Sequence, residues 1–186
     1  MRFAHKFCML LVLLGLSLTL AFAQNATLRE PDVIFVPTPQ NVVDEMLKVA
    51  KVGPNDIVYD LGCGDGRLVI TAVQQYGAQK AVGIDINPER IAESTQNAKE
   101  AGVTDRVTFR NEDLFEADIK EATVVTLYLL NSLNLKLRPK LWRDLKPGTR
   151  IVSHAFNMGD WKPEQQLNVD GRTIYFWTVP ENPPSD

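Results

Sequence analysis

The chain contains few of the side chains that build zinc clusters and disulfide bonds. Among its 186 residues there are two cysteines, Cys8 and Cys63, and two histidines, His5 and His154. Cys8 and His5 lie near the N-terminus, so the rest of the chain holds one residue of each type. This composition excludes an internal disulfide and a Cys/His zinc cluster in that remainder, and we predict no metal site.

The chain also lacks an excess of positive charge. It has 20 Lys and Arg against 23 Asp and Glu, which gives a formal net charge of −3. Removal of the first 23 residues would take away Arg2 and Lys6 and no acid, so the remaining chain would be more negative. Because binding to nucleic-acid backbones requires clustered Lys and Arg, we expect no nucleic-acid partner.

Residues 1–23 have the pattern of a secretory signal peptide. Arg2 and Lys6 precede an apolar run over 7–22, and an Ala-Phe-Ala site ends at Ala23. The run is shorter than the ~20 residues of a typical membrane-spanning helix. We therefore expect an exported protein, periplasmic or secreted, with membrane anchoring only if the segment stays uncleaved. Residues 24–180 would form one domain, and 181–186 a disordered tail.

Apolar runs and helical periodicity alternate along that domain. Strands are predicted over 57–60, 81–86, 106–110, 123–130 and 149–156, with helices between them. Asn87 is expected to cap one helix, and Thr38 or Asn41 the first. Residues 166–179 have the pattern of a hairpin with an Asp170-Gly171 turn. We predict an α/β fold: a Rossmann-like, doubly wound, mostly parallel seven-stranded sheet closed by a C-terminal antiparallel hairpin.

Three glycines at alternate positions follow the first predicted strand. Asp60 ends the strand, and Gly62, Gly64 and Gly66 precede a helical pattern. A strand that passes through a glycine turn into a helix presents backbone N–H groups and a positive helix end to a ligand. Arg67 stands where a dinucleotide fingerprint has its third glycine. The Asp-x-Gly-x-Gly-x-Gly pattern resembles motif I of class I methyltransferases, which use S-adenosylmethionine (SAM).

The resemblance implies roles for residues that follow the next strands. Asp85 ends the second predicted strand, and Asp113 follows the third. In an open α/β sheet, ligands bind at the carboxyl ends of the strands. Asp85 would accept hydrogen bonds from the ribose hydroxyls, with Ile86 against the adenine face, while Asp113 and the Leu114 N–H would meet the adenine edge. Asp60 would position the amino group of SAM, and the three glycines would lie against its methionine part.

Each acidic residue also has a purely structural interpretation. Asp85 precedes an Asn-Pro pair and could be a turn residue, whereas Asp113 could cap a short helix. The occurrence of acids after three consecutive strands favours the cofactor interpretation.

Other segments resemble a narrower group within the superfamily. They are Phe35-Val36-Pro37-Thr38-Pro39, Tyr128-Leu129-Leu130-Asn131-Ser132, and Arg150-Ile151-Val152-Ser153 with Trp161-Lys162-Pro163. The group consists of small bacterial methyltransferases similar to the mitochondrial protein-lysine methyltransferases of ATP synthase subunit c and the adenine nucleotide carrier. This resemblance implies that the methyl acceptor is a protein lysine.

Candidate residues for the acceptor side lie at the end of the fourth predicted strand. Tyr128 and Asn131 are placed there, and Thr38 is a candidate lid contact; a core aromatic residue and helix caps are the alternatives. His154 could face the pocket, although a packing role is the more ordinary one. The strand does not end in the Asn/Asp-Pro-Pro-Tyr of many amino-group methylators of nucleic acids and glutamine, which argues against a nucleic-acid base as acceptor.

Two other functions are compatible with parts of this pattern. An exported, non-catalytic module that binds SAM or a nucleoside would account for both the glycine loop and the signal peptide. A nicotinamide-dependent oxidoreductase is favoured only by Asp85 at the ribose position. We predict a SAM-dependent methyltransferase.

Overall fold

The computed structural model describes residues 28–184. The predicted signal peptide and the last two residues of the predicted tail lie outside the described residues. Within 28–184, no helix is long and apolar enough to cross a membrane. The elements are, in order, α1 Gln40–Val49, β1 Ile57–Leu61, α2 Arg67–Gln74, β2 Lys80–Asp85, α3 Pro88–Glu100, β3 Val107–Asn111, β4 Val124–Leu127, α4 Asn131–Asp144, β5 Arg150–His154, β6 Gln165–Val169 and β7 Arg172–Thr178.

The seven strands form one sheet in the order β3-β2-β1-β4-β5-β7-β6. Strands β1 to β5 are parallel to one another, and β7 is antiparallel to both β5 and β6. The strand order reverses between β1 and β4, which is where ligands bind in open α/β sheets. The predicted fold, a doubly wound sheet closed by an antiparallel hairpin, is confirmed.

Alternate residues of the central strands supply two hydrophobic cores, one on each face of the sheet. On one face, Val58 of β1 packs in a cluster with Met46 of α1 and Val69 of α2. On the other, Tyr59 shares a cluster with Leu137 of α4 and Trp177 of β7. Each fully buried aliphatic side chain contributes roughly 1.5–3 kcal/mol. The sheet is therefore packed on both faces, which fixes the positions of its strand ends.

Local signals explain several boundaries. Asn87 caps α3, because its side-chain oxygen accepts a hydrogen bond from the Glu89 N–H at 2.8 Å, and Pro88 begins the helix. Asp170 and Gly171 both have positive φ, 50° and 80°, as a two-residue primed hairpin turn requires. The predicted Asn87 cap and the predicted hairpin are confirmed.

Other boundaries differ from the prediction. Neither Thr38 nor Asn41 caps α1; the N-cap is Pro39, which makes no side-chain cap bond. Thr38 bonds His154 and Asn41 bonds Asp170, so both side chains are used in tertiary contacts. Strand β4 ends at Leu127, three residues earlier than predicted, because the chain leaves the sheet there and enters the cavity wall.

Candidate active site

A cavity of about 510 Å³ lies at the carboxyl ends of the parallel strands. The glycine loop, residues 62–66, contributes Gly62 to its lining, and the ends of β2 and β3 contribute Asp85 and Asp113. Residues 29–38, hereafter the covering segment, line it over nearly their whole length. The cavity is thus enclosed between the sheet edge and the chain that precedes α1.

The glycine loop is fixed by hydrogen bonds to β2. The N–H groups of Gly62 and Cys63 both donate to the Ile84 carbonyl, at 2.8 and 3.0 Å, and the Gly64 N–H donates to Asp85 Oδ2 at 2.9 Å. Gly64 has a φ of 53°, and a Cβ there would lie 2.1 Å from the Phe35 ring of the covering segment. Only glycine allows the loop and the covering segment to approach this closely.

The three glycines of the loop do not share one environment. Gly62 lines the cavity, whereas Gly64 lies beneath Phe35. A Cβ at Gly66 would meet Phe109 at 2.7 Å and Ser94 at 2.9 Å, so this position allows β3 and α3 to pack against the loop. Of the three glycines predicted to bind the cofactor, Gly62 is therefore the one that lines the cavity.

Asp85 connects the loop to the cavity. Its carboxylate accepts hydrogen bonds from the Gly64 N–H and from the Asn87 N–H, each at 2.9 Å, and it lines the cavity beside Ile86. A carboxylate has about four lone-pair positions, so two acceptor positions stay open to a ligand. Asp85 can therefore hold the loop and bind hydroxyl groups at the same time.

Asp113 and Leu114 line the same cavity at the end of β3. The Asp113 carboxylate accepts two hydrogen bonds from Arg29, at 2.6 and 3.2 Å, and one from the Phe115 N–H at 3.0 Å. Burial alone would raise its pKa, but the bonds from Arg29 and Phe115 lower it below the ordinary value. Asp113 is thus anionic at neutral pH, and a ligand amino group would share it with Arg29.

Asp60 is the most buried acid of the cavity. It is 5% exposed, lines the cavity and accepts a hydrogen bond from the Thr126 hydroxyl at 2.8 Å. Burial, together with the nearby charges of Asp85 and Asp65, raises the pKa of Asp60 to about 7, against the lowering effect of the hydrogen bond from Thr126. A cationic group bound beside this carboxyl would favour its ionised form.

These features fit SAM. The volume lies within the roughly 300–1,000 Å³ of typical small-molecule sites. Asp85 would hold the ribose, Asp113 and Leu114 the adenine edge, and Asp60 the ammonium of the methionine part. We call this part of the cavity the donor end.

The acceptor end lies at β4 and β5, on the opposite side of β1 from β2 and β3. Tyr128 and Thr38 line the cavity there, together with Leu129 and Leu133. His154, only 2% exposed, is not in the lining but lies directly behind it. This end combines hydroxyl groups with apolar side chains.

Asn131 occupies a different place from Tyr128. It is the first residue of α4, is exposed, and donates to Asn157 Oδ1 at 2.9 Å. It is not among the residues that line the cavity. The structure therefore brings Thr38 and Tyr128 together and leaves Asn131 at the surface; the acceptor roles of all three stay predictions.

Sequence reasoning missed several residues around the cavity. Arg29 and Phe35 belong to no recognisable sequence motif. Their partners in the structure, Asp113 and Gly64, lie 84 and 29 positions away along the chain. Arg67 was recognised only as a departure from a glycine fingerprint, yet it donates to the Thr38 carbonyl at 2.8 Å. The prolines around Phe35 indicated an extended chain but not its position over the cavity.

Comparison with known proteins places this site in a family. The model of the ANTKMT methyltransferase domain matches residues 60–165. A protein-lysine N-methyltransferase of Saccharolobus islandicus is 49% identical over 156 residues, 82% of this chain and 97% of that protein. The adenine nucleotide translocase lysine N-methyltransferase of Mus musculus is 31% identical over 131 residues, 70% of this chain and 56% of that protein.

A solved structure of a similar protein is also a methyltransferase. The crystal structure titled as an RNA methyltransferase from Salinibacter ruber, in complex with S-adenosyl-L-homocysteine (SAH), is 57% identical to this chain. It superposes with a TM-score of 0.79 and covers 81% of this chain and 98% of that one. The prediction of a SAM-dependent enzyme is confirmed in preference to a non-catalytic module or an oxidoreductase. The chain belongs to the ANTKMT methyltransferase family and is a SAM-dependent methyltransferase.

Proposed function

We propose that the methyl acceptor is the side-chain amine of a protein lysine. The observation that carries this proposal is the lining of the acceptor end: Tyr128 and Thr38 offer oxygen atoms, and Leu129 and Leu133 surround them with apolar surface. Among the described residues, no side chain or backbone group hydrogen-bonds the Tyr128 hydroxyl, so it is available to a substrate. The names of the archaeal and mouse relatives, both lysine N-methyltransferases, support the same acceptor.

The acceptor end suits the proton chemistry of an amine. Bound SAM supplies an electrophilic methyl group on a positively charged sulfur, and the acceptor must present a neutral nitrogen in line with it. A lysine has a pKa of about 10.4 in water, and desolvation among apolar side chains lowers it. Leu129 and Leu133 provide that desolvation, while the Tyr128 and Thr38 oxygens can orient the amine. Alignment of this kind contributes roughly 7–11 kcal/mol to catalysis.

The charges around the cavity favour a basic acceptor over a nucleic acid. The lining contains three arginines, Arg29, Arg67 and Arg90, but they are outnumbered by five acidic side chains: Asp32, Asp60, Asp65, Asp85 and Asp113. A phosphate backbone would be repelled by these groups, whereas a lysine and its basic neighbours would be attracted. Because the Salinibacter ruber relative is titled an RNA methyltransferase, the acceptor class has to be tested directly.

The test is transfer of a tritiated methyl group from SAM to an extract of the source cells by the purified protein. Extract treated with ribonuclease should still be labelled, and extract treated with protease should not. Acid hydrolysis of the labelled material should release radioactive methyl-lysine. The Asp85→Ala variant serves as the inactive control. Label that disappears with ribonuclease, or that never appears in lysine, would overturn the proposal.

We also propose that residues 1–23 direct export of the enzyme, on the basis of their basic start, apolar run and Ala-x-Ala site. Mass spectrometry of the N-terminus after cell fractionation tests this. A mature protein beginning near Gln24 in the periplasm or medium is expected, and an intact N-terminus in the cytosol would contradict it.

A further inference from the structure

His154 lies between two residues of the acceptor end without reaching the cavity itself. It is the last residue of β5 and is 2% exposed. Its ring centroid is 3.9 Å from that of Tyr128, and its Nδ1 lies 3.2 Å from the Thr38 hydroxyl oxygen. The contact to Thr38 joins positions that are 116 residues apart in the chain. One imidazole ring thus contacts both the covering segment and the end of β4.

Thr38 is held from a second side by Arg67. The Arg67 guanidinium donates to the Thr38 carbonyl at 2.8 Å and pairs with Asp65 of the glycine loop at 2.5 Å. Thr38 is also the last residue of the covering segment before Pro39 and α1. The covering segment is therefore anchored at Thr38 to the glycine loop by Arg67 and to the β4–β5 edge by His154.

The environment of His154 keeps the ring neutral. Burial, and then the nearby charge of Arg172, lower the pKa of His154 to about 4. A neutral imidazole has one N–H and one acceptor nitrogen, and the Thr38 hydroxyl, which can donate or accept, can bond Nδ1 in either tautomer. The ring adds no positive charge that would repel an amine or a sulfonium in the cavity.

We infer that His154 is a positioning residue for methyl transfer, which holds Thr38 and Tyr128 as one unit at the acceptor end. This inference rests on the proposed acceptor side of the cavity. If Thr38 moves, the covering segment loses its contacts with Arg67 and His154 and keeps the bonds from Arg29 to Asp113. If Tyr128 moves, its hydroxyl no longer points at a fixed place. A histidine with a packing role only would affect stability and leave transfer unchanged.

The test is a double-mutant cycle on the full chain. His154→Phe keeps an aromatic ring against Tyr128 but loses the bond to Thr38, and Thr38→Val loses the same bond from the other side. Methyl transfer from tritiated SAM to poly-L-lysine is measured at saturating SAM. We expect kcat to fall about tenfold in His154→Phe and at least as far in Thr38→Val, which also lacks the hydroxyl proposed to orient the amine. The double variant should fall no further than Thr38→Val, because the bond between the two residues is already lost there.

A second measurement does not depend on the acceptor. In a stopped-flow displacement experiment, the rate of SAH dissociation should rise about threefold in both single variants and no further in the double, since each loosens the same anchor of the covering segment. Thermal unfolding of the same proteins shows whether folding is preserved.

The outcomes separate this inference from the proposed function. If the wild type does not methylate poly-L-lysine but the SAH cycle is non-additive, a lysine acceptor is not supported and the role of His154 stands. If the losses multiply in the double variant, or if kcat and dissociation rates match the wild type in every variant, His154 is a packing residue and the inference is overturned.

Discussion

The donor end and the acceptor end of the cavity are assembled in different ways. At the donor end, Asp60, Asp85 and Asp113 lie at or just beyond the carboxyl ends of three adjacent strands, and hydrogen bonds to β2 fix the glycine loop. At the acceptor end, Thr38 reaches His154 across 116 positions of sequence. The carboxylates of the donor end are placed mainly by strand and loop backbone, with Arg29 adding one long-range contact at Asp113, whereas the acceptor end depends on side-chain contacts. Substitutions at the acceptor end should therefore affect methyl transfer more than cofactor binding.

The largest expected effect comes from breaking the donor end at Asp85. Asp85→Ala removes the acceptor of two backbone hydrogen bonds at 2.9 Å as well as the proposed ribose ligand. We expect SAM affinity to fall at least about 100-fold, since bonds to a charged group contribute roughly 1.5–3 kcal/mol each. Isothermal titration calorimetry measures this. Asp105→Ala, in an exposed position, is the matched control and should bind SAM like the wild type.

The next effect is steric. Gly64→Ala places a Cβ 2.1 Å from Phe35 and should weaken SAM binding by about tenfold or more, because the ring of the covering segment must move. Gly102→Ala is the control: Gly102 has a positive φ of 69°, like Gly64, but no atom lies within 4 Å of the new Cβ. It should cost about 1 kcal/mol of unfolding free energy and leave SAM affinity unchanged. Equal SAM affinities in the two variants would contradict the close-approach role of Gly64.

A smaller effect is expected at the acceptor end. Tyr128→Phe removes the hydroxyl of a residue that lines the cavity but keeps the ring against His154. The kcat of methyl transfer should fall roughly fivefold, a typical loss for one hydrogen bond, while SAM affinity stays within twofold. Tyr175→Phe, on β7 beside Trp177, is the control and should match the wild type in both. A change in SAM affinity alone would place Tyr128 at the donor end instead.

The last expected effect is on the pH dependence of stability and involves neither SAM affinity nor kcat. The raised pKa of Asp60, about 7, means that its contribution to folding is full below pH 4 and is lost as pH rises towards 7. The lowered pKa of His154, about 4, has the opposite effect: the unfolded state binds the proton more tightly, so stability rises from pH 4 to about 6.5.

Urea denaturation between pH 4 and 7 separates these two contributions. Asp60→Asn should make the free energy of unfolding rise more steeply with pH, and His154→Phe should make it rise less or fall. Each change in slope is on the order of 1 kcal/mol per pH unit. An unchanged slope in either variant would show that the group concerned titrates as it does in water, and a slope that shifts opposite to the expected direction would contradict the direction of its pKa shift.

The contrast between the two ends also explains what the sequence could predict. Strand–helix alternation, the Asn87 cap and the hairpin turn are local signals, and the fold followed from them. Asp85 and Asp113 could be placed at one edge because parallel strands end together. The pairing of Arg29 with Asp113 could not be predicted, since nothing local relates positions 84 residues apart.

The same reason explains why the surroundings of Thr38 and Asn131 could not be predicted from the sequence. Threonine is a common helix-cap residue, yet the Thr38 hydroxyl bonds His154, which only the folded chain brings near it. Asn131 follows β4, as Tyr128 does, so the sequence places both at the acceptor end. In the structure Asn131 begins α4, and its side chain donates a hydrogen bond to Asn157. Long-range side-chain contacts decide the function of such residues.

The arrangement of the two ends is tested most directly by a crystal structure of the full chain with SAH. We expect the ribose hydroxyls on the Asp85 carboxylate, the adenine edge beside Asp113 and Leu114, and the sulfur atom directed towards Tyr128. A complex in which the sulfur faces away from Tyr128, or in which Asp85 makes no contact with the ribose, would contradict the account.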